Sequence, residues 1–156
     1  MTDARLRLED QLCFALYAAT NAITRAYRPL LRELGITYPQ YLTLMALWQH
    51  RAGTVGELAQ RLDLPAHALT PVLRRLEQAG LLVRRRNGID GRSVLVGLTP
   101  AGVELEARAA AVQRTVVCAT GLSTDALAAL RGDLHDLVDD MRATAAGLHP
   151  MEGKAS

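Results

Sequence analysis

Two short segments near the middle of the chain alternate apolar and polar residues, in a sequence that is otherwise rich in Ala and Leu. The segments are LLVRRR (81–86) and SVLVGLT (93–99), and their alternation and β-branched residues are typical of strands. The stretch between them, NGIDG (87–91), consists mostly of turn-forming residues. The sequence therefore predicts one β-hairpin inside a mainly α-helical chain.

The N-terminal part of the sequence predicts one long helix. Apolar residues recur at intervals of three and four from position 12 to position 34, which predicts a helix over about 8–34 that ends at Gly35. Pro29 interrupts this pattern. Because proline removes a helical hydrogen bond, we expect a kink or a split of the helix near Tyr27.

Short polar motifs mark the starts of the other helices. Thr37 and Thr54 each stand three residues before a Gln or a Glu, which is the spacing of a capping box. Pro65 suits the first turn of a helix that stops at Gly80, and Thr99 with Pro100 suits the start of another. Helices are therefore predicted over these residues: about 37–49, 54–62, 65–79, 99–119 and 123–145.

The positive charge of the chain is concentrated around the hairpin. The net charge is +2, but six arginines stand against two acids between positions 74 and 92, a local charge of +4 that leaves −2 for the remainder. Such a segment on a near-neutral body indicates contact with a polyanion. Charge alone fits a solvated surface equally well.

Two short helices followed by a hairpin describe a winged helix-turn-helix, a DNA-binding motif. Its second helix lies in the major groove and reads bases from its N-terminal end, while an arginine at the hairpin tip can enter the minor groove. An acid two residues before that arginine can hold its guanidinium, and strand arginines can contact phosphate. The candidate contacts with double-stranded DNA are His67, Thr70, Arg74 and Arg75 on the helix, Arg84, Arg85 and Arg86 on the strand, and Asp90 and Arg92 at the tip.

The stretch from VGELAQ through LTPAG (55–102), with its Asp-x-Arg wing, resembles the MarR family of DNA-binding regulators. The resemblance implies one domain over 1–156, mainly α with a small β-hairpin wing. The winged helix-turn-helix would span 37–99, and a helical dimerisation region would span 1–36 and 100–148. Apolar stripes in the terminal helices agree with a homodimer, which would meet a pseudo-palindromic operator with two reading helices.

Cys13, in the stretch QLCFALY, is one of only two cysteines. A free cysteine is most often a small buried hydrophobe, but it can also be a reactive sensor. Tyr17 lies four residues on and shares its helix face. Tyr27 lies fourteen residues along, about 21 Å at the helical rise. If Tyr27 serves the Cys13 thiol, it must therefore do so from another subunit.

The stretch QLCFALY…YPQYLTLMALW (11–48) looks like the organic-hydroperoxide-sensing branch of the MarR family, known as OhrR. The resemblance implies that Cys13 is the peroxidatic cysteine, supported by Tyr27 and Tyr38 across the dimer, with Tyr17 beside it. It also implies that Cys118 is the resolving cysteine of the two-cysteine type. An organic hydroperoxide would oxidise Cys13 to a sulfenate, an intersubunit disulfide with Cys118 would follow, and the repressor would leave its DNA.

Two alternatives remain open at this point. One is a MarR-type repressor released by a phenolic or other small ligand, with cysteines that play no redox part; the other is a thiol peroxidase. The recognition helix carries Ala66 and Ala68 where relatives carry small hydroxylated residues, which leaves the operator sequence open. We expect no enzyme activity, no cofactor and no metal site, since His67 has no partner at ligand spacing.

The N-terminus has no apolar signal-peptide core, and the longest apolar run, 12–19, is far shorter than a membrane span. These features lead us to expect a cytoplasmic protein that does not bind a membrane.

Overall fold

The computed structural model describes residues 6–86, 88 and 91–145. The chain forms two compact units, one within residues 1–116 and one within 117–156. The elements within the described residues are, in chain order, the 3-10 helix Leu8–Asp10, α1 (Leu12–Glu33), α2 (Tyr38–His50), β1 (Ala52–Thr54), α3 (Val55–Arg61), α4 (Ala66–Gln78), β2 (Leu82–Arg86), β3 (Val94–Leu98), α5 (Pro100–Ala119) and α6 (Thr124–Ala145).

Helix α1 is continuous through its proline. Pro29 lies inside a helix that runs from Leu12 to Glu33, so the split, one of the two outcomes expected near Tyr27, is wrong, and the kink stays a prediction. A proline removes one helical hydrogen bond, whereas Tyr27 and Leu31 on either side of it are both buried. Packing of these two side chains holds the turns around the proline together. The predicted start also shifts, because residues 8–10 form a separate 3-10 turn.

Both predicted capping boxes are confirmed. The Thr37 hydroxyl accepts from the Gln40 backbone N–H at 3.4 Å, and the Gln40 side chain accepts from the Thr37 N–H at 2.8 Å. Thr54 and Glu57 make the same pair of bonds at 3.2 Å and 2.7 Å. The Thr54 backbone N–H lowers the pKa of Glu57, since it stabilises the ionised carboxylate. Pro65 stands one position earlier than predicted, as the N-cap of α4.

The hairpin belongs to a three-stranded antiparallel sheet of order β1-β3-β2. Strands β2 and β3 are the predicted hairpin, paired from Leu82–Leu98 to Arg86–Val94. Strand β1 was not predicted. It has three residues, which is too short to show an alternating pattern, and it pairs with the far edge of β3.

The core of the first unit joins α1–α5 to the sheet. Its fully buried side chains include Leu31, Leu44, Leu47, Leu58, Leu69, Leu73, Leu76, Leu82 and Val96. Helices α2, α3 and α4 contact one another, and α4 contacts β2. The predicted fold class, mainly α with a small β-hairpin wing in a winged helix-turn-helix, is confirmed. The predicted domain boundaries stay a prediction.

Two helices present apolar faces that the described part of the chain does not cover. In α6 no side chain of 124–144 is buried, and large apolar residues at intervals of four, four and three form one exposed stripe, Leu130, Leu134, Val138 and Met141. In α1, Leu12, Tyr17 and Ile23 are exposed. An exposed apolar stripe such as that of α6 is typical of a surface that binds another protein.

Candidate functional site

Helix α4 separates an apolar face from a polar one. Leu69, Leu73 and Leu76 are buried, whereas His67 and Arg74, together with the candidates Thr70 and Arg75, are exposed. His67, Thr70 and Arg74 follow the spacing i, i+3, i+7, so they share the face opposite the buried leucines. Thr70 also donates to the Ala66 carbonyl at 3.1 Å. The four candidates thus lie on a surface that a DNA groove can approach.

The three arginines of β2 do not share one face. Leu82 is buried and Arg84 is half-buried, whereas Val83 and Arg85 are exposed. Because side chains alternate along a strand, Arg84 points to the same side as Leu82, and Arg85 points to the other. Arg86 is exposed on the Arg84 side, nearer the hairpin tip.

Arg84 is engaged by an acid of α4. Its Nε and Nη2 donate to Glu77 Oε2 at 2.9 Å and 2.6 Å, and its backbone N–H donates to Glu77 Oε1 at 3.2 Å. The hydrogen bond from the Arg84 side chain holds the pKa of Glu77 below its usual value. The prediction grouped Arg84 with two exposed phosphate contacts and did not identify this pair, since strand faces were not assigned.

The hairpin tip is described only in part. Arg92 is exposed, and Gly91 before it has φ +63°. Asp90, the predicted partner of Arg92, lies outside the described residues. The role of both at a minor groove stays a prediction.

Three tyrosines meet where α1 ends and α2 begins. The ring centroids of Tyr27 and Tyr38 are 5.4 Å apart, and Tyr41 lies 5.2 Å from Tyr27. Burial raises the pKa of Tyr38 and of Tyr41, with the Tyr27 side chain as a further cause at both. These two hydroxyls therefore remain protonated and can donate hydrogen bonds. Tyr41 was not predicted as part of the site, since its buried position looks like that of any core aromatic.

The two thiols are free and exposed. Cys13 lies in the first turn of α1, and Cys118 lies in the last turn of α5. Tyr17 is 65% exposed, one turn after Cys13, whereas Tyr27 is only 8% exposed. Cys13 is therefore not a buried hydrophobe of its own chain. The structure brings Tyr27 and Tyr38 together and leaves Cys13 and Tyr17 elsewhere on α1.

A groove of about 600 Å³ opens beside Tyr38. Leu31, Ile36 and Pro39 give it apolar walls, and Arg28 and Arg32 add two guanidinium groups. The groove can hold a small organic molecule. Among the described residues, no three His, Cys, Asp or Glu side chains are grouped so as to hold a metal ion.

The LTPAG segment fastens the base of the wing to α4 and α5. The Thr99 hydroxyl donates to the Gly80 carbonyl at 2.6 Å and accepts from the Gly102 N–H at 3.1 Å. The Gly102 carbonyl accepts from the Trp48 indole at 2.8 Å. The Gly102 Cα also packs so closely on the Leu81 carbonyl that a side chain would not fit. The LTPAG segment thus has a structural role at the base of the wing.

A helix with a polar exposed face, followed by a basic hairpin, defines a DNA-binding protein of the winged helix-turn-helix class. The MarR family profile matches residues 36–94. The chain is 42% identical over 136 residues to the organic hydroperoxide resistance transcriptional regulator of Bacillus subtilis (strain 168), covering 87% of this chain and 92% of that protein. The chain belongs to the MarR family.

Other relatives agree. The chain is 42% identical over 138 residues to the HTH-type transcriptional regulator TtmR of Methylorubrum extorquens (strain PA1), covering 88% of this chain and 71% of that protein. The structure of overoxidized AbfR bound to DNA matches with a TM-score of 0.72 and 31% identity, over 90% of this chain and 99% of that one. AbfR is a Staphylococcus epidermidis protein.

The predicted family is thus confirmed. The chain is a transcriptional regulator of the MarR type and, as that family predicts, not an enzyme. Within the described residues, no helix is long and apolar enough to cross a membrane.

Proposed function

We propose that the chain is a redox-sensing repressor of the two-cysteine OhrR type. Its reduced homodimer binds a pseudo-palindromic operator, and oxidation of Cys13 by an organic hydroperoxide releases the DNA. The observation that carries the proposal is an exposed thiol on an uncovered face of α1, in a chain whose tyrosine cluster lies fourteen residues away. The name of the Bacillus subtilis relative, which refers to organic hydroperoxide resistance, supports it.

The uncovered apolar faces support the homodimer. A two-fold axis would bring the same stripe from each subunit together, so that Leu130, Leu134 and Val138 of α6 meet their counterparts. Burying large apolar side chains contributes about 1.5–3 kcal/mol each. A stripe of four such residues from each subunit is enough to drive association.

The length of α1 requires the tyrosines to act across that dimer. Helix α1 is unbroken from Cys13 to Tyr27, a rise of about 21 Å. We propose that the hydroxyls of Tyr27 and Tyr38 serve the partner's thiol, because helix α1 holds Tyr27 too far from the thiol of its own chain. Hydroxyl donors stabilise a thiolate, the form that attacks a peroxide. The groove beside Tyr38 offers apolar walls for the organic part of the hydroperoxide.

The chemistry proceeds in two balanced steps. The Cys13 thiolate attacks the peroxide oxygen and the O–O bond breaks, which gives a sulfenate and an alcohol; the sulfenate then takes a proton from water and becomes the sulfenic acid. The Cys118 thiol of the partner then displaces water from the sulfenic acid and forms a disulfide. A disulfide needs Cα atoms about 4.4–6.8 Å apart, so its formation ties the two helices that carry the thiols. Release begins at the sulfenate, and the new restraint then holds the reading helices off their half-sites.

The DNA contacts follow from the exposed surfaces of α4 and the wing. His67, Thr70, Arg74 and Arg75 meet the major groove and its phosphates, and Arg85 and Arg86 meet phosphate along the wing. Arg92, held by Asp90, enters the minor groove.

Arg92→Ala is expected to weaken operator binding by about 1–3 kcal/mol, the range of a good specific contact. The dimer should remain folded, because Arg92 is exposed. A gel-shift titration at fixed salt measures the change, and circular dichroism checks the fold. Operator affinity equal to that of the wild type would rule out the minor-groove role.

Cys118→Ser is expected to abolish the covalent dimer that oxidised wild-type protein forms on a non-reducing denaturing gel. Cys13 still forms a sulfenate in this variant, so DNA release should persist but be less durable, because no disulfide holds the released state and over-oxidation consumes the sulfenate. A peptide map that joins 13 to 118 within one chain would contradict the intersubunit mechanism and leave the sensing role standing.

Intact mass measured after one equivalent of an organic hydroperoxide tests the function itself. The redox proposal expects the loss of two hydrogens per thiol pair. A repressor released by a bound phenolic or other small ligand, which the groove beside Tyr38 could also hold, shows no covalent change. A thiol peroxidase would in addition turn over with a reductant.

A further inference from the structure

One acid stands among the arginines of the DNA-binding segment. Between positions 74 and 86 the chain has five arginines and a single acid, Glu77. A carboxylate there opposes the approach of a polyanion, so charge alone gives no reason for it. Both oxygens of Glu77 are used by Arg84 through three hydrogen bonds of 2.6–3.2 Å.

The pair joins the two elements that would read DNA. Glu77 lies in the last turn of α4, and Arg84 is the third residue of β2. Because Arg84 lies opposite the buried Val96 in the sheet register, it lies on the inner face of the sheet, where it meets Glu77 of α4. Both side chains keep about a third of their surface exposed, 36% for Glu77 and 30% for Arg84.

The Arg84 guanidinium donates two hydrogen bonds to one oxygen of the Glu77 carboxylate, and the Arg84 backbone N–H donates to the other oxygen. Because both groups are planar, these bonds fix their relative orientation as well as their distance. The bond from the Arg84 backbone ties the strand itself to Glu77. A further link at this end is the bond from the Thr99 hydroxyl to the Gly80 carbonyl, which holds the base of β3. Together they fix the strand pair at two points.

We propose that Glu77 and Arg84 are positioning residues that set the angle of the wing relative to the recognition helix. With the pair intact, α4 fits the major groove while the hairpin tip reaches the adjacent minor groove. Arg84 therefore acts through the wing and does not contact phosphate. The inference rests on the DNA binding of the proposed function.

Charge and positioning make opposite predictions for the same substitution. Glu77→Gln removes a negative charge beside the DNA, so electrostatics alone predicts tighter binding. Positioning predicts weaker binding to the operator, because the wing is no longer held. Arg84→Gln removes a positive charge, and the double variant Glu77→Gln/Arg84→Gln leaves the net charge unchanged. The double variant therefore separates the two effects.

The test uses the full-length dimer and two duplexes. One duplex is selected by the wild-type protein from a random library of about thirty base pairs, long enough for two half-sites a helical turn apart. The other has the same composition in scrambled order. Arg85→Gln is the matched control, since it removes the same charge from the opposite face of the strand. Affinities are measured at two salt concentrations, and thermal unfolding confirms that each variant is folded.

We expect Glu77→Gln, Arg84→Gln and the double variant each to lose roughly tenfold in affinity for the selected duplex, as for loss of one specific contact. Glu77→Gln should bind the scrambled duplex at least as tightly as the wild type, and hydroxyl-radical footprints should lose the protection made by the wing. Arg85→Gln should weaken both duplexes alike and keep that protection.

Tighter operator binding by Glu77→Gln, with wild-type affinity in the double variant, would overturn the positioning role. Failure of the wild-type protein to select any duplex would instead overturn the proposed DNA binding.

Discussion

Cys13→Ser is expected to bind the operator with wild-type affinity and to remain bound after an organic hydroperoxide is added. A serine hydroxyl occupies nearly the volume of the thiol but cannot be oxidised to a sulfenate. Cys13 is exposed in the first turn of α1, in the unit that holds the winged helix but far along the chain from α4, so the substitution leaves the reading surface intact. The response should therefore be lost completely while the DNA affinity stays unchanged.

Fluorescence anisotropy of a labelled operator, followed after one equivalent of hydroperoxide, measures this loss. Cys118→Ser is the matched control, because it removes the other thiol of the chain and keeps the peroxidatic one. The control should still release DNA, and Cys13→Ser should not. Release of Cys13→Ser at the wild-type rate would show that the hydroperoxide acts elsewhere, and the redox proposal would fail.

Structural features that depend on residues close together in the sequence could be predicted from it. The capping boxes at Thr37 and Thr54 involve bonds between residues three positions apart, so spacing alone identifies them. The hairpin was also predictable, because its strands and its turn are contiguous. Strand β1 was missed since its identity comes from pairing with β3, more than forty residues later.

Interactions between distant or alternating positions needed the structure. The bond from Trp48 to Gly102 spans 54 positions, and no local pattern marks either end. The pair of Glu77 and Arg84 depends on which face of β2 points inward, and a run of three arginines hides that face. The split expected at Pro29 failed for a related reason, since burial of neighbouring side chains outweighed a local preference.

The candidate site was predictable where its residues lie on one surface. The candidates on α4 came from the position of the recognition helix in the winged helix-turn-helix pattern, and all four are exposed. Tyr27 and Tyr38 lie together, and their role at a thiol stays a prediction. The place of Tyr41 beside Tyr27 could not be predicted from the sequence, because a tyrosine in the core and a tyrosine at a site look alike there. A contact between the thiol and the tyrosines would join two chains, so it stays a prediction.

Gly102→Ala is expected to destabilise the protein by about 2–4 kcal/mol, near the upper end for a single substitution. A Cβ at this position would overlap the Leu81 carbonyl and lie 3.1 Å from Leu98 Cδ2. The backbone cannot retreat easily, since the Gly102 N–H is bonded to Thr99 and its carbonyl to Trp48. Relief of the overlap must therefore break bonds that hold the wing.

Urea unfolding followed by circular dichroism, at one fixed protein concentration because a dimer's stability depends on it, measures the loss. Gly56→Ala is the matched control: Gly56 lies within α3, and nothing stands within 4 Å of the place its Cβ would take. Alanine is the better helix former, so this control should gain up to about 1 kcal/mol. Since the Gly102 junction anchors the base of the wing, the Gly102→Ala protein that remains folded should also bind the operator more weakly. If Gly102→Ala unfolds at the same urea concentration as the wild type, α5 can move away from Leu81 without loss of stability. The LTPAG segment would then not fasten the wing.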